Sequence, residues 1–309
     1  MSFLKVENDF ILKKNDPTDL RLGDIYNQTT LAQCPIVLAG YPDDEGIILN
    51  GGRKGAALGP NTIRKYLSKM TPNRAINDFP KFYDIGNLNI ENDLEHRHEE
   101  VIKICHSFLN QSKKWISLGG GHDYGYPDGA AFLKTYKQSQ PVVINFDAHL
   151  DVRPTDKGIT SGTPFYRLLN EFNNFDFFEI GIQEQCNSFA QRQWCQDMGG
   201  KILTFNELYD SKSSPVQNFM TFLKGVANTH RPTFVSLDID VFSASHAMGC
   251  SQSWPLGITA HDFLLFFEYI ISSFDVRALG IYEVSPPLDL DDRTSKLAAQ
   301  IIYRFLQNG

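Results

Sequence analysis

Short apolar runs recur along this chain, and most are followed by a stretch with helical periodicity. Residues 36–40, Ile36-Val37-Leu38-Ala39-Gly40, form the first run and open into a loop over 41–46. A glycine-rich segment follows, and Pro60 at a first helical turn predicts a helix to about Lys69. Further strands are predicted over 81–86, 115–118, 141–146, 177–181, 201–205, 233–237 and 277–282. Helices are predicted over 92–109, 125–137, 164–171, a segment reaching Trp194, 216–227, 259–273 with Thr259 as its cap, and 291–306. Several of the strands are apolar throughout, as strands covered on both faces are. The alternation predicts an α/β fold with a mostly parallel sheet between helices. A closed (β/α) barrel carries the same pattern. In either architecture, ligands gather at the carboxyl ends of the strands. No repeat or linker divides the chain. Residues 1–309 are therefore expected to form a single catalytic domain, with 1–34 as an N-terminal extension.

The polar residues that follow the strands carry the candidate chemistry. Asp147-Ala148-His149-Leu150-Asp151 comes directly after the 141–146 run. Strand alternation would point Asp147, His149 and Asp151 the same way. Two carboxylates and an imidazole brought together repel and lose hydration unless a cation compensates them. His122 follows another strand, Asp238 and Asp240 a third, and Glu283 a fourth. Parallel strands put these ends on one edge, so the residues can meet despite their sequence separation. Any one Asp after a strand reads equally well as a turn or cap residue, but four loaded strand ends in register point to metal. Four aspartates balance two divalent cations, and oxygen and imidazole ligands without thiolate favour Mn²⁺. Two such ions activate water, which points to hydrolysis. His96, His98 and His106 lie in the 92–109 helix and read as exposed or interfacial, because no acidic group is arranged around them.

Composition narrows the partners. The net charge of −7 offers no general attraction to nucleic acid or to an anionic membrane. No apolar run approaches the roughly 20 residues of a membrane span, and the first residues lack the features of a signal or transit peptide. The five cysteines, an odd number without a Cys-x-x-Cys pair, suit reduced thiols and a cytoplasmic location. Cys250 reads as a small packing residue.

Gly120-Gly121-His122-Asp123, Asp147-Ala148-His149-Leu150-Asp151, Ser236-Leu237-Asp238-Ile239-Asp240 and Glu283 resemble the four signatures of the ureohydrolases, the arginase and agmatinase superfamily. The resemblance runs from about Pro35 to the C-terminus and includes Gly59-Pro60-Asn61-Thr62-Ile63-Arg64. It implies a three-layer α/β/α sandwich and two Mn²⁺ per chain. By that pattern His122, Asp147, Asp151 and Asp238 surround one ion, and Asp147, His149, Asp238 and Asp240 the other. Guanidine-cleaving members carry a His shortly after Ser-Gly, whereas this chain reads Ser161-Gly162-Thr163-Pro164-Phe165. That string, Asp43-Asp44-Glu45-Gly46 followed by Asn50-Gly51-Gly52-Arg53-Lys54-Gly55-Ala56-Ala57, and Arg153 are similar to formimidoylglutamases.

The implied activity is hydrolysis of N-formimidoyl-L-glutamate to L-glutamate and formamide, a step of histidine degradation, by attack of a hydroxide bridging the ions. Glu283 would orient the amidinium and Asp151 would carry the proton. Arg153 is a candidate carboxylate contact. So is Arg53, in a glycine-rich loop able to close over the site. Ser161, Thr163 and His246 complete the candidate substrate contacts, and His246 rivals Asp151 as the shuttle. The partner is thus a small amidine bearing carboxylates, with no nucleic acid or membrane, and the resemblance is compatible with a homo-oligomer. Two other readings stay open. One is another ureohydrolase of agmatinase, guanidinobutyrase or arginase type, and the second is a non-catalytic, metal-stabilised binding protein.

Overall fold

The computed structural model describes residues 3–75 and 78–308. Among these, nine strands form one sheet: β1 (Phe3–Leu4), β2 (Ile36–Gly40), β3 (Phe82–Leu88), β4 (Lys114–Leu118), β5 (Val142–Phe146), β6 (Asp176–Ile182), β7 (Lys201–Thr204), β8 (Pro232–Asp238) and β9 (Asp275–Tyr282). Their order is β1-β3-β2-β4-β9-β8-β5-β6-β7, and every pairing is parallel except β1 with β3. The sheet has two free edges, β1 and β7, so the closed barrel is excluded.

The helices are α1 (Leu22–Ile25), α2 (Glu45–Leu49), α3 (Gly59–Lys69), α4 (Leu94–Leu109), α5 (Gly125–Tyr136), α6 (Pro164–Glu171), α7 (Phe189–Asp197), α8 (Phe205–Leu208), α9 (Pro215–Leu223), α10 (Ala260–Ser273) and α11 (Arg293–Gln307). Strand side chains alternate between two cores. Ile36, Leu38, Ile116 and Ile144 join residues of α3, α9, α10 and α11. Val37, Ala39, Trp115 and Val143 join residues of α4, α5 and α6 on the other face. This is the expected three-layer arrangement, and it explains why these strands are apolar at successive positions.

Several local expectations change. The loop at 41–46 runs into a helix, α2, that the sequence pattern did not announce. The helix expected over 216–227 stops at Leu223, with Gly225 in the turn that follows. Thr259 caps α10 as expected, accepting from the Asp262 N–H. His98 is not exposed: it is 1% accessible and its Nε2 lies 2.9 Å from Asp123. The acidic partner sits 25 residues away in sequence, invisible to a search along one helix. Residues before β2 are tied to the domain. Leu22 and Tyr26 pack in the first core, and the Asp24 carboxylate accepts from the backbone N–H groups of Lys14, Asn15 and Arg21.

Candidate metal centre and active site

The strands whose ends carry the candidate residues, β4, β9, β8 and β5, are neighbours in the middle of the sheet. Their carboxyl ends therefore open onto one place. After β4 the chain turns through Gly119, Gly120 and Gly121 against adjacent backbone. A Cβ on Gly120 would sit 1.7 Å from the Asp43 carbonyl oxygen. The tight passage delivers His122 into the interior. Its Nε2 lies 2.9 Å from Ser236 Oγ, its ring stacks on Tyr282 at 5.0 Å between centroids, and the Phe165 ring meets it edge-on at 5.4 Å. Tyr282 is itself held by Asp128, which also accepts from Tyr41, Trp115 and Ser117. Phe165, at the position where guanidine-cleaving relatives are expected to carry His, thus packs against the His122 imidazole.

Asp147, His149 and Asp151 do converge, but not by strand alternation, because β5 ends at Phe146. The turn beyond it is folded by its own side chains. Asp147 Oδ1 accepts from the His149 N–H at 2.7 Å, and Asp151 takes a left-handed backbone with φ of 47°. Asp238 ends β8 and accepts from the Asp240 N–H at 2.9 Å, which sets the second carboxylate beside the first. Glu283, also left-handed at φ 65°, accepts from the His122 N–H at 3.1 Å. Such strained conformations cluster where structure serves chemistry.

The resulting geometry is that of a ligand sphere. His122 Nδ1 lies 3.0, 3.0 and 3.2 Å from carboxylate oxygens of Asp147, Asp151 and Asp238. It is fully buried, yet none of these contacts has the alignment of a hydrogen bond. With Nε2 engaged by Ser236, Nδ1 is left for a cation. A second group shares Asp147: His149 Nδ1 lies 3.4 Å from Asp147 and 3.0 Å from Asp240. His122, Asp147, Asp151 and Asp238 can hold one ion, and Asp147, His149 and Asp240 another. Burial pushes the Asp240 carboxyl up to about 6, with Asp147 and Asp151 adding to it and His149 opposing. Burial and the Asp238 charge push Glu283 well above the usual range. Burial opposes a charge on His122, but contacts with Asp147, Asp151 and Asp238 outweigh it and raise its pKa. So many acids in so little water are what two cations would offset. The residues fit a dinuclear metal site.

A cavity of 240 Å³ opens over the cluster. His149, Asp151, Asp238, Asp240 and Glu283 form its floor, and Asn50, Arg153 and Ser161 stand in its wall. Thr163 is buried beside Thr160 and borders a neighbouring cleft. Arg53 is held away from the cavity lining: its guanidinium donates to the carbonyls of Cys250 and Ser251 at 2.9–3.1 Å. His246 is half-buried in the loop after Asp240, outside that lining. Cys250 is fully buried. The sequence pattern did not single out Ser236, Tyr282 or Asn50. Ser236 could have been found, being two residues before Asp238 on the same strand face. Asn50 carries no such signal.

Residues 34–307 match the arginase family. The formimidoylglutamase of Staphylococcus epidermidis is 32% identical over 308 residues, covering 95% of this chain and 94% of its own. The crystal structure of Trypanosoma cruzi formiminoglutamase with Mn²⁺ superposes with a TM-score of 0.83 at 28% identity, over 94% of this chain and 98% of that one. Formimidoylglutamase from Bacillus subtilis gives 0.84 at 27% identity, over 99% and 96%. With its open three-layer fold and its doubled cluster of acids and imidazoles, this chain belongs to the arginase family.

Proposed function

We propose that this chain hydrolyses N-formimidoyl-L-glutamate to L-glutamate and formamide, using two Mn²⁺ ions. The observation that carries the substrate choice is Arg153. It stands in the wall of the cavity over the metal cluster and, among the described residues, has no acidic partner. An unneutralised guanidinium there suits a substrate with carboxylates and disfavours agmatine, which has none. The similarity to formimidoylglutamases over nearly the whole chain supports the same reading.

His122, Asp147, Asp151 and Asp238 would hold one ion, and Asp147, His149, Asp238 and Asp240 the other. When bound, the ions supply Lewis acidity and lower the pKa of water, which amidine hydrolysis needs at neutral pH. The protein's own groups do the rest. Glu283, fixed by the His122 N–H, faces the cavity and would accept from the amidinium NH₂, orienting the formimidoyl carbon. Asp151 also borders the cavity and would pass a proton to the glutamate nitrogen as the C–N bond breaks. Oxygen from water ends in formamide, whose nitrogen keeps the two protons of the amidinium NH₂, and both protons of the water leave on the glutamate nitrogen as its ammonium group. Arg153 and Ser161 would bind the carboxylate end. Arg53 would act from behind, holding the loop at 250–251 in place.

The test is a product assay of Mn²⁺-loaded protein with formimidoylglutamate, arginine and agmatine in parallel. Formamide from the first without urea from the others is the expected result. Urea from either guanidine substrate as the dominant product would overturn the substrate assignment.

A further inference from the structure

Asn50 is the residue that the proposed chemistry leaves unexplained. It follows the last turn of α2, where its N–H closes the helix onto the Gly46 and Ile47 carbonyls. Its side chain crosses to two other segments. Oδ1 accepts from Arg153 Nη1 at 2.6 Å, and Nδ2 donates to Ser161 Oγ at 3.1 Å. A guanidinium only donates, so the amide oxygen must face Arg153 and the NH₂ must face Ser161. The Arg153 N–H is also tied to the Gly162 carbonyl at 2.8 Å. A Cβ on Gly162 would sit 2.9 Å from Arg153 Cδ, so the arginine stem passes close against this glycine.

Two consequences follow from an amide at this position. First, Arg153 is fixed by a neutral acceptor, so its positive charge is retained and most of its donors are free. Second, Ser161 Oγ accepts from Asn50 and, among the described residues, its own hydroxyl proton has no acceptor. The cavity wall therefore presents a guanidinium and a hydroxyl, both able to donate and neither neutralised. That pairing suits a carboxylate oxygen pair. An aspartate at position 50 would hold Arg153 as well and cancel what the cavity needs from it.

We infer that Asn50 is a positioning residue that determines specificity, holding Arg153 and Ser161 as a joint carboxylate site for the end of the substrate remote from the amidine. The inference rests on the formimidoylglutamate reading and adds the device that sets its selectivity.

The experiment compares wild type, Asn50→Ala and Asn50→Asp, each Mn²⁺-loaded, with N-formimidoyl-L-glutamate and with N-formimidoylpropylamine, which lacks carboxylates. Melting temperatures establish that each variant is folded. In both variants the ratio of kcat/KM between the two substrates should fall by about tenfold or more, mainly through KM for formimidoylglutamate. Asn50→Asp is the decisive arm, because it preserves the bond to Arg153 and the helix end. A merely structural tether would leave its selectivity at the wild-type value, and that result would overturn the inference. Wild-type selectivity in Asn50→Ala would do the same. If the wild type itself fails to cleave formimidoylglutamate, the substrate reading falls and takes this inference with it. That outcome differs from wild-type turnover with indifferent variants.

Discussion

His122 Nδ1 has three carboxylates around it and no aligned hydrogen bond, so a proton and a metal ion compete for the same atom. The direction of that competition with pH can be worked out. Burial raises Asp240 to about 6, above its ordinary value of about 3.9 in an unfolded chain. Its protonated form is favoured by folding, and the metal-free protein loses that contribution as pH rises toward 6. His149 is raised as well: burial opposes its charge, but the Asp240 and Asp147 carboxylates outweigh burial. His122 behaves likewise. Their contribution is complete below about 6.5 and is lost as pH rises through the higher folded values. All three groups weaken the metal-free protein in the same direction, while loss of their protons frees the ligands for metal. Addition of Mn²⁺ should therefore raise Tm by an increment that grows from about pH 5 to about pH 8. A thermal-shift series with a flat increment would contradict this. Ser236 gives a second test at the same scale. Its Oγ fixes the far nitrogen of His122, so Ser236→Ala should weaken metal affinity by about ten- to a hundredfold, read by calorimetric titration.

At the scale of elements, α2 has five residues and little intrinsic stability. It is held by Arg97 of α4, whose Nε lies 3.1 Å from Asp43 and whose Nη2 pairs with Glu45. The same arginine donates to the Ile90 and Asn92 carbonyls. Arg97→Met would leave Asp43 buried without its cation and should cost about 3 kcal/mol of stability in a denaturant titration. Because α2 positions Asn50, KM for the amidine substrate should rise with it, and a stability loss without any KM change would separate the clamp from the site. This element also marks where sequence reading stops. The strands and long helices were legible, since their periodicity follows from burial on two faces or one. The cluster of acids and imidazoles was legible because its members stand at or just beyond the ends of apolar strands. A five-residue helix has no period to detect, and its stability comes from a partner on α4. His98 with Asp123, and Asn50 with Arg153, escaped for the same reason: each is defined by a partner distant in sequence. For Asp147 to Asp151 the residues were legible and the cause was not, because the turn that gathers them lies beyond the end of β5.

At the scale of the molecule, the metal centre belongs to the sheet rather than to any segment. Its groups, together with Glu283 beside them, come from four adjacent strands whose ends are spread between Leu118 and Tyr282, so strand order brings them together. The segment before β2 stands differently. It is joined to the far edge, with β1 paired to β3, the Leu12 N–H on Ser68 Oγ of α3, and Leu22 fully buried in the first core. Leu22→Ala should therefore destabilise the protein by about 2–5 kcal/mol. Deletion of residues 3–34 should cost more, since it also uncovers the edge of β3 and the α3 contacts. Yet β3 and β2 stand between β1 and the first ligand-bearing strand, β4. Both variants, where folded, should still bind two metal ions per chain, counted by elemental analysis after gel filtration. Loss of metal from folded Leu22→Ala protein would show that the segment before β2 governs the site through the sheet. Retained metal with a lowered Tm would show that this segment supports the fold and leaves the chemistry to the central strands.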